Sequence, residues 1–219
     1  MTLMTLGLLV VFASVLGWMY WRNRRDTLSA RGHLLNECAQ LLEGAVITRN
    51  EAGYAMLEGR YRGYPVRLTL EEDHIAPRKI PSLWLHVTVE GRNSAWGTLD
   101  MLVRPQNIEF YSPSWHWDGS VEPLPNWPTH ALYKTCSTPP DLKLIDPAVR
   151  LFFADEKAKE LLLTPQRLRM TYQAKQAERG DYLLLRATTF DAQPLPSQAI
   201  AGLVDQAVQL RCKLEGATA

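Results

Sequence analysis

Cysteine is scarce in this chain and badly placed for a framework: Cys38, Cys136 and Cys212 are odd in number, far apart and outside any C-x-x-C spacing. Such a set excludes a disulfide scaffold and a zinc knuckle, and it agrees with a reducing compartment. Net charge is lacking too. Lysine plus arginine number 24 against 23 aspartate plus glutamate, so broad electrostatic attraction to nucleic acid is not expected. Phosphate-binding signatures are missing: there is no G-x-x-x-x-G-K-[ST], and no G-x-G-x-x-G opening a helix. Neither a G-x-S-x-G elbow nor a known catalytic cysteine motif is present. His86, His116, His130, Asp118 and Cys136 have suitable donor atoms for a metal, but their spacing matches no H-E-x-x-H or H-x₃₋₅-H pattern. No metal and no cofactor are therefore expected.

The most telling absence is of charge at the N-terminus. Residues 1–21 carry no acidic or basic side chain, and Arg22, Arg24 and Arg25 follow at once. As a helix, residues 3–21 rise about 1.5 Å each and cover roughly the 30 Å hydrocarbon thickness of a bilayer. Trp18, Tyr20 and Trp21 stand where amphipathic rings favour the lipid–water interface. A cleaved signal peptide fits less well, because its charges would precede the apolar run and small residues would mark the exit. A buried core helix fits less well too, since an all-round apolar helix at a terminus has little to bury it. The arginine cluster, with Trp18 and Trp21 before it, predicts the N-terminus outside and the remaining chain in the cytoplasm. A bacterial inner membrane is the default setting. The same arginines can hold anionic headgroups at about 1 kcal/mol each.

Beyond the anchor, residues 26–43 place Leu28, Leu34, Leu35, Cys38, Leu41 and Leu42 at helical spacing, with Gly44 to stop the helix. Whether this helix continues the membrane span or begins anew at an Asp26-Thr27 cap is open in the sequence. The period then changes to two. Residues 45–48, 54–60, 64–70 and 83–90 read as strands of an antiparallel meander, continued by Leu99, Met101 and Val103. Residues 110–141 combine six prolines with Tyr111, Trp115, Trp117, Trp127 and Tyr133, which predicts a long ordered loop packed on the domain. A helix opens at Asp146-Pro147 and runs to Pro165, a hairpin pairs residues 167–175 with 181–189, and a last helix covers 196–214.

This order predicts an α+β fold: an N-terminal single transmembrane helix, then a soluble domain with an antiparallel sheet and helices packed on one face. Residues 1–21 are the anchor, 22–44 a basic juxtamembrane segment with an amphipathic helix, and 45–219 the domain. Its most distinctive local feature is Trp115-His116-Trp117-Asp118, with Trp127 close behind and Trp84 and His86 on the sheet face opposite Leu83, Leu85 and Val87. Indoles flanking an imidazole suit a partner or ligand surface; they serve equally to plug a loop onto its own domain. Function is expected to lie in binding: an accessory or assembly component of a membrane complex, with the lipid bilayer and a membrane protein as partners. Two other readings are a small-ligand sensor that closes the tryptophan loop, and a hydrolase using His116 or His130 with Asp118.

Overall fold

The computed structural model describes residues 2–73, 80–92, 97–106, 109–185 and 187–216. Helix α1 (Thr2–His33) is unbroken from the charge-free run into the juxtamembrane segment. Nothing in residues 2–33 interrupts the helical ladder, for proline is absent and the hydroxyls of Ser14 and Thr27 return to the carbonyls of Val10 and Asn23 (2.8 and 2.9 Å). Among the described residues this is the one helix long and apolar enough to cross a membrane, and none of its apolar window is buried. Thirty-two residues span about 48 Å, more than the hydrocarbon alone needs.

The excess length is used for docking. Leu28 lies over Gly53, where an added Cβ would stand 2.4 Å from its Cδ2. Arg31 donates to the Ala52 carbonyl (2.9 Å) and to Glu72 Oε2 (3.1 Å), and its guanidinium sits 4.5 Å from the Tyr54 ring centroid. The Tyr54 hydroxyl donates to the same carboxylate oxygen (3.0 Å). Helix α1 ends where Leu34 and Leu35 turn into the core, and the Leu195 amide donates to the Leu34 carbonyl (2.8 Å). The expected helix to residue 43 therefore stops at His33, with a separate 3-10 turn at Asn36–Leu41.

The domain is a nine-stranded, wholly antiparallel sheet with helices: β1 (Glu43–Arg49), β2 (Ala55–Tyr61), β3 (Tyr64–Glu72), β4 (Ser82–Glu90), β5 (Leu99–Val103), β6 (Gly119–Ser120), β7 (Ala131–Thr135), β8 (Ala158–Leu163) and β9 (Arg167–Gln176). Their spatial order is β1-β2-β3-β4-β9-β8-β5-β7-β6. One row of the ladder reads Leu57, Leu68, Val87, Met170, Leu161, Met101, Tyr133. Helices α2 (Leu142–Phe153) and α4 (Ser197–Gly216) cover that face with Ile145, Val149, Phe152, Ile200, Val204 and Ala207. A short helix of seven residues, α3 (Arg179–Leu185), follows β9.

Five sequence expectations change. The meander holds for β1 to β4, but β5 is separated from β4 by β9 and β8. The second hairpin is β8–β9, closed at Thr164, and residues 181–185 are helical. Residues 158–163 resemble the end of a helix in the sequence because the strand is buried on both faces, which erases the two-residue alternation. Asp155 separates the two elements by accepting from the Lys157 amide (2.8 Å), while Asp141 caps α2 earlier than expected by accepting from the Lys143 amide (2.9 Å). Finally, β7 forms inside the proline-rich segment, in a five-residue window without proline.

Candidate functional site

The proline-rich segment is a strap around one edge of the sheet. Residues 109–117 lie on the face opposite the helices, β6 forms the edge, and residues 121–127 come round onto the helix side. There Trp127 is buried, stacks on Tyr133 (5.8 Å between centroids) and donates Nε1–H to Asp146 Oδ1 of α2 (2.7 Å). Prolines limit the chain's alternatives in the unfolded state, and the aromatics supply apolar area on both faces.

Under the first half of the strap the sheet carries ionisable side chains where a strand pattern would place apolar ones. Two ladder rows read Thr69, His86, Thr171, Glu160 and Thr88, Arg169, Leu162, Asp100. His86, Asp100, Glu160, Arg169 and Thr171 are all buried. Glu160 Oε2 accepts from Arg169 Nε and Nη2 (3.1 and 2.8 Å) and from Thr171 Oγ1 (3.0 Å). His86 Nδ1 is 3.0 Å from the same Thr171 hydroxyl, and its Nε2 is 3.3 Å from Glu71 Oε2. A hydroxyl has one proton, so Thr171 serves either Glu160 or His86 as donor, which links the tautomer of His86 to the proton on Thr171.

Tyr111 is the roof. Its ring meets His86 edge-on at 4.9 Å and Trp84 at 6.5 Å, and its carbonyl accepts from Arg169 Nη2 (2.7 Å). Ser112 and Ser114 both donate to Asp100 Oδ2 (2.9 and 2.7 Å), pinning the strap to β5. A bulge in β8 near Ala158/Glu160 lets Lys159 reach this face beside Glu160. Lys159 Nζ meets Glu109 Oε1 at 2.7 Å and donates to the Arg104 carbonyl (2.7 Å), with both side chains of the ion pair buried.

The electrostatics follow from burial. Desolvation, with the Glu160 charge next, pushes the Asp100 carboxyl up to about 8, against the lowering effect of the two serine hydrogen bonds and Arg169. Burial lowers His86, since its charged form is the costly one, despite Glu71. Burial would raise Glu109, but the Lys159 hydrogen bond and charge hold it below the usual carboxylate value. Among the described residues Asp100 Oδ1, Glu160 Oε1 and the Tyr111 hydroxyl have no hydrogen-bond partner. Asp100 and Glu160 are diagonal neighbours on adjacent strands, close enough for the Glu160 charge to act directly on Asp100. The arrangement is a buried hydrogen-bonded charge network under the strap, in which burial holds the Asp100 proton more tightly than in an exposed carboxyl.

The residues singled out in the sequence are divided by the fold. Trp84 and His86 belong to the roofed cluster and Trp127 to the helix-side core, so these three are buried and offer no surface to a partner. Trp115 is 43% exposed, and His116 and Asp118, both exposed, flank a half-buried Trp117 at the outer side of the strap. His130 and Cys136 do not pair; the Cys136 thiol is 3.5 Å from Thr98 Oγ1. Among the described residues no group of three or more His, Cys, Asp or Glu is arranged to hold a metal ion. Sequence reasoning does not find Glu160, Arg169, Asp100 and Tyr111 as site residues. Their one signal is a Lys-Glu pair inside an apolar run, legible only once that run is known to be a strand.

At the other end of the molecule Trp18 and Trp21 are exposed on α1, with the Arg22 and Arg25 guanidinium groups 5.4 and 5.5 Å from their ring centroids. Arg22 also faces Asp26 at 3.9 Å. Arg24 shares a helix face with Trp21 and Leu28. The chain matches no protein-family model, no curated protein and no solved structure.

Proposed function

We propose that this is a single-pass membrane protein with its N-terminus outside, whose α+β domain is held at the cytoplasmic face and works by binding, as an accessory or assembly component of a membrane complex. In a bacterial cell this would be the inner membrane. The observation that carries the reading is the continuity of α1: an uncovered apolar stretch leads without a break into a segment locked onto the domain by Leu28 and Arg31. A domain fixed in one orientation at the bilayer presents the same surface to every membrane partner. Arg22, Arg24 and Arg25 at the exit support the cytoplasmic side.

Two surfaces suit a protein partner. The strap exposes Phe110 and Trp115 on its outer side. Strand β1 is an edge of the sheet and exposes Val46 and Ile47. The test is a photo-crosslinking residue placed at Trp115 or at Val46 of the full-length chain in intact membranes. Discrete adducts with one membrane protein are expected. A chain that sits in the membrane fraction yet yields no adduct from either position overturns the binding reading, and protease protection of the C-terminal domain in inside-out vesicles overturns the orientation.

A further inference from the structure

We propose that a cleft between α1 and the start of the domain, walled by Arg24, Arg25 and Arg49, binds the phosphate of an anionic phospholipid headgroup. The proposal rests on the membrane reading above and names a lipid class for it.

The cleft has a volume of about 490 Å³ and is lined by Trp21, Arg24, Arg25, Leu28, Ser29 and Arg49. Residues 21, 25, 28 and 32 lie at i, i+4, i+7 and i+11, one face of the helix. The remaining wall comes from elsewhere in the chain. Arg49 ends β1, and its guanidinium lies against Gly32, where an added Cβ would stand 2.5 Å from Cζ, Nε and Nη2. Any larger residue at 32 would push Arg49 away, so the fold brings a third cation to a helix face that already holds two.

No carboxylate lines the cleft. Among the described residues Arg24, Arg25 and Arg49 make no ion pair and no side-chain hydrogen bond, whereas Arg22, turned aside, has Asp26. Three guanidinium groups gathered without a counter-charge repel one another and favour an anion between them. Each presents a planar fork matched to phosphate oxygens. Position selects the source. Trp21 forms one wall, and Arg25 follows it by about one helical turn of roughly 5 Å, the depth at which headgroup phosphates lie beneath an interfacial ring. Ser29 offers a hydroxyl to a polyol headgroup such as glycerol.

The test uses the full-length chain in nanodiscs of phosphatidylcholine alone or mixed equally with phosphatidylglycerol, with the lipid retained on release read by native mass spectrometry. Wild type should retain phosphatidylglycerol in preference to phosphatidylcholine. Arg49→Gln, which leaves the anchor sequence intact, should lower that preference about fivefold, Arg49→Lys should restore part of it, and Arg22→Gln, an equal loss of charge outside the cleft, should lower it clearly less than Arg49→Gln does. Equal losses in R49Q and R22Q would reduce the effect to general surface charge and overturn the site. Equal displacement of the retained lipid by inorganic phosphate would make the ligand a soluble anion and overturn the lipid assignment. Flotation after carbonate washing separates the two readings: a chain that floats with both compositions but shows no lipid preference defeats this proposal alone, and one that floats with neither defeats the membrane reading as well.

Discussion

Replacing Asp100 by asparagine should remove most of the dependence of stability on pH near neutrality. Asp100 is fully buried, and burial together with Glu160 raises its carboxyl to about 8 from an ordinary value near 4. Between those limits the folded chain holds a proton that the unfolded chain has released, so this contribution is greatest at low pH and falls as pH rises through the folded value. His86 acts in the opposite sense. Its lowered value means that it contributes stability above about 6.5 and loses it only as pH falls below that, so it is silent in the upper window. From about pH 6.5 to 8 Asp100 therefore sets the direction of the slope. One group binding one extra proton costs about 1.36 kcal/mol per pH unit at most, and integration up to the midpoint gives a loss of about 1.5–2 kcal/mol for wild type. The carboxamide of Asp100→Asn cannot ionise, and its carbonyl can still accept from Ser112 and Ser114. Urea titrations of the full-length chain in mild detergent, followed by circular dichroism at several pH values, should give a sloping wild type and a flat D100N. An unchanged slope in the variant, or a wild type that gains stability over this interval, would refute the assignment of a stored proton to Asp100.

Three other outcomes follow from the packing. Gly53 has φ near +83° and lies under Leu28, so Gly53→Ala should weaken the joint between α1 and the domain by about 1–2 kcal/mol, seen as faster amide exchange in residues 26–33; adding Leu28→Ala should relieve the steric part and leave the backbone part. Trp127→Ala should lower domain stability by about 3–5 kcal/mol, whereas Trp115→Ala, on an exposed residue, should change it by less than about 0.5 kcal/mol and act on partner capture instead; both are read by urea midpoints and crosslinking yield. Glu109→Gln alone leaves a buried ammonium and should cost about 3–5 kcal/mol, while the pair Glu109→Leu with Lys159→Met should recover much of that loss in the same titration.

Features that depend on local pattern are legible in the amino-acid order alone. A charge-free run before three arginines marks the apolar helix, and clean alternation in residues 66–70 and 83–89 sets which side chains face the helices, because a one-residue slip would turn every one of them to the opposite face. Proline and tryptophan density makes the strap legible as an ordered loop. Other features exist only in the assembled fold. Residues 158–163 are a strand because β5 and β9 flank them, and a strand buried on both faces has no alternation to read. The polar cluster depends on that same assignment: Glu160, Arg169 and Asp100 meet only because strands distant in sequence pair in register, and the raised proton affinity of Asp100 comes from its burial there and from the Glu160 charge. Likewise Arg24 and Arg25 are a basic flank in the sequence and become walls of a cleft only where Gly32 leaves room for Arg49. Periodicity reports the environment of one element at a time, while a buried charge or a three-sided cleft is a property of several elements brought together.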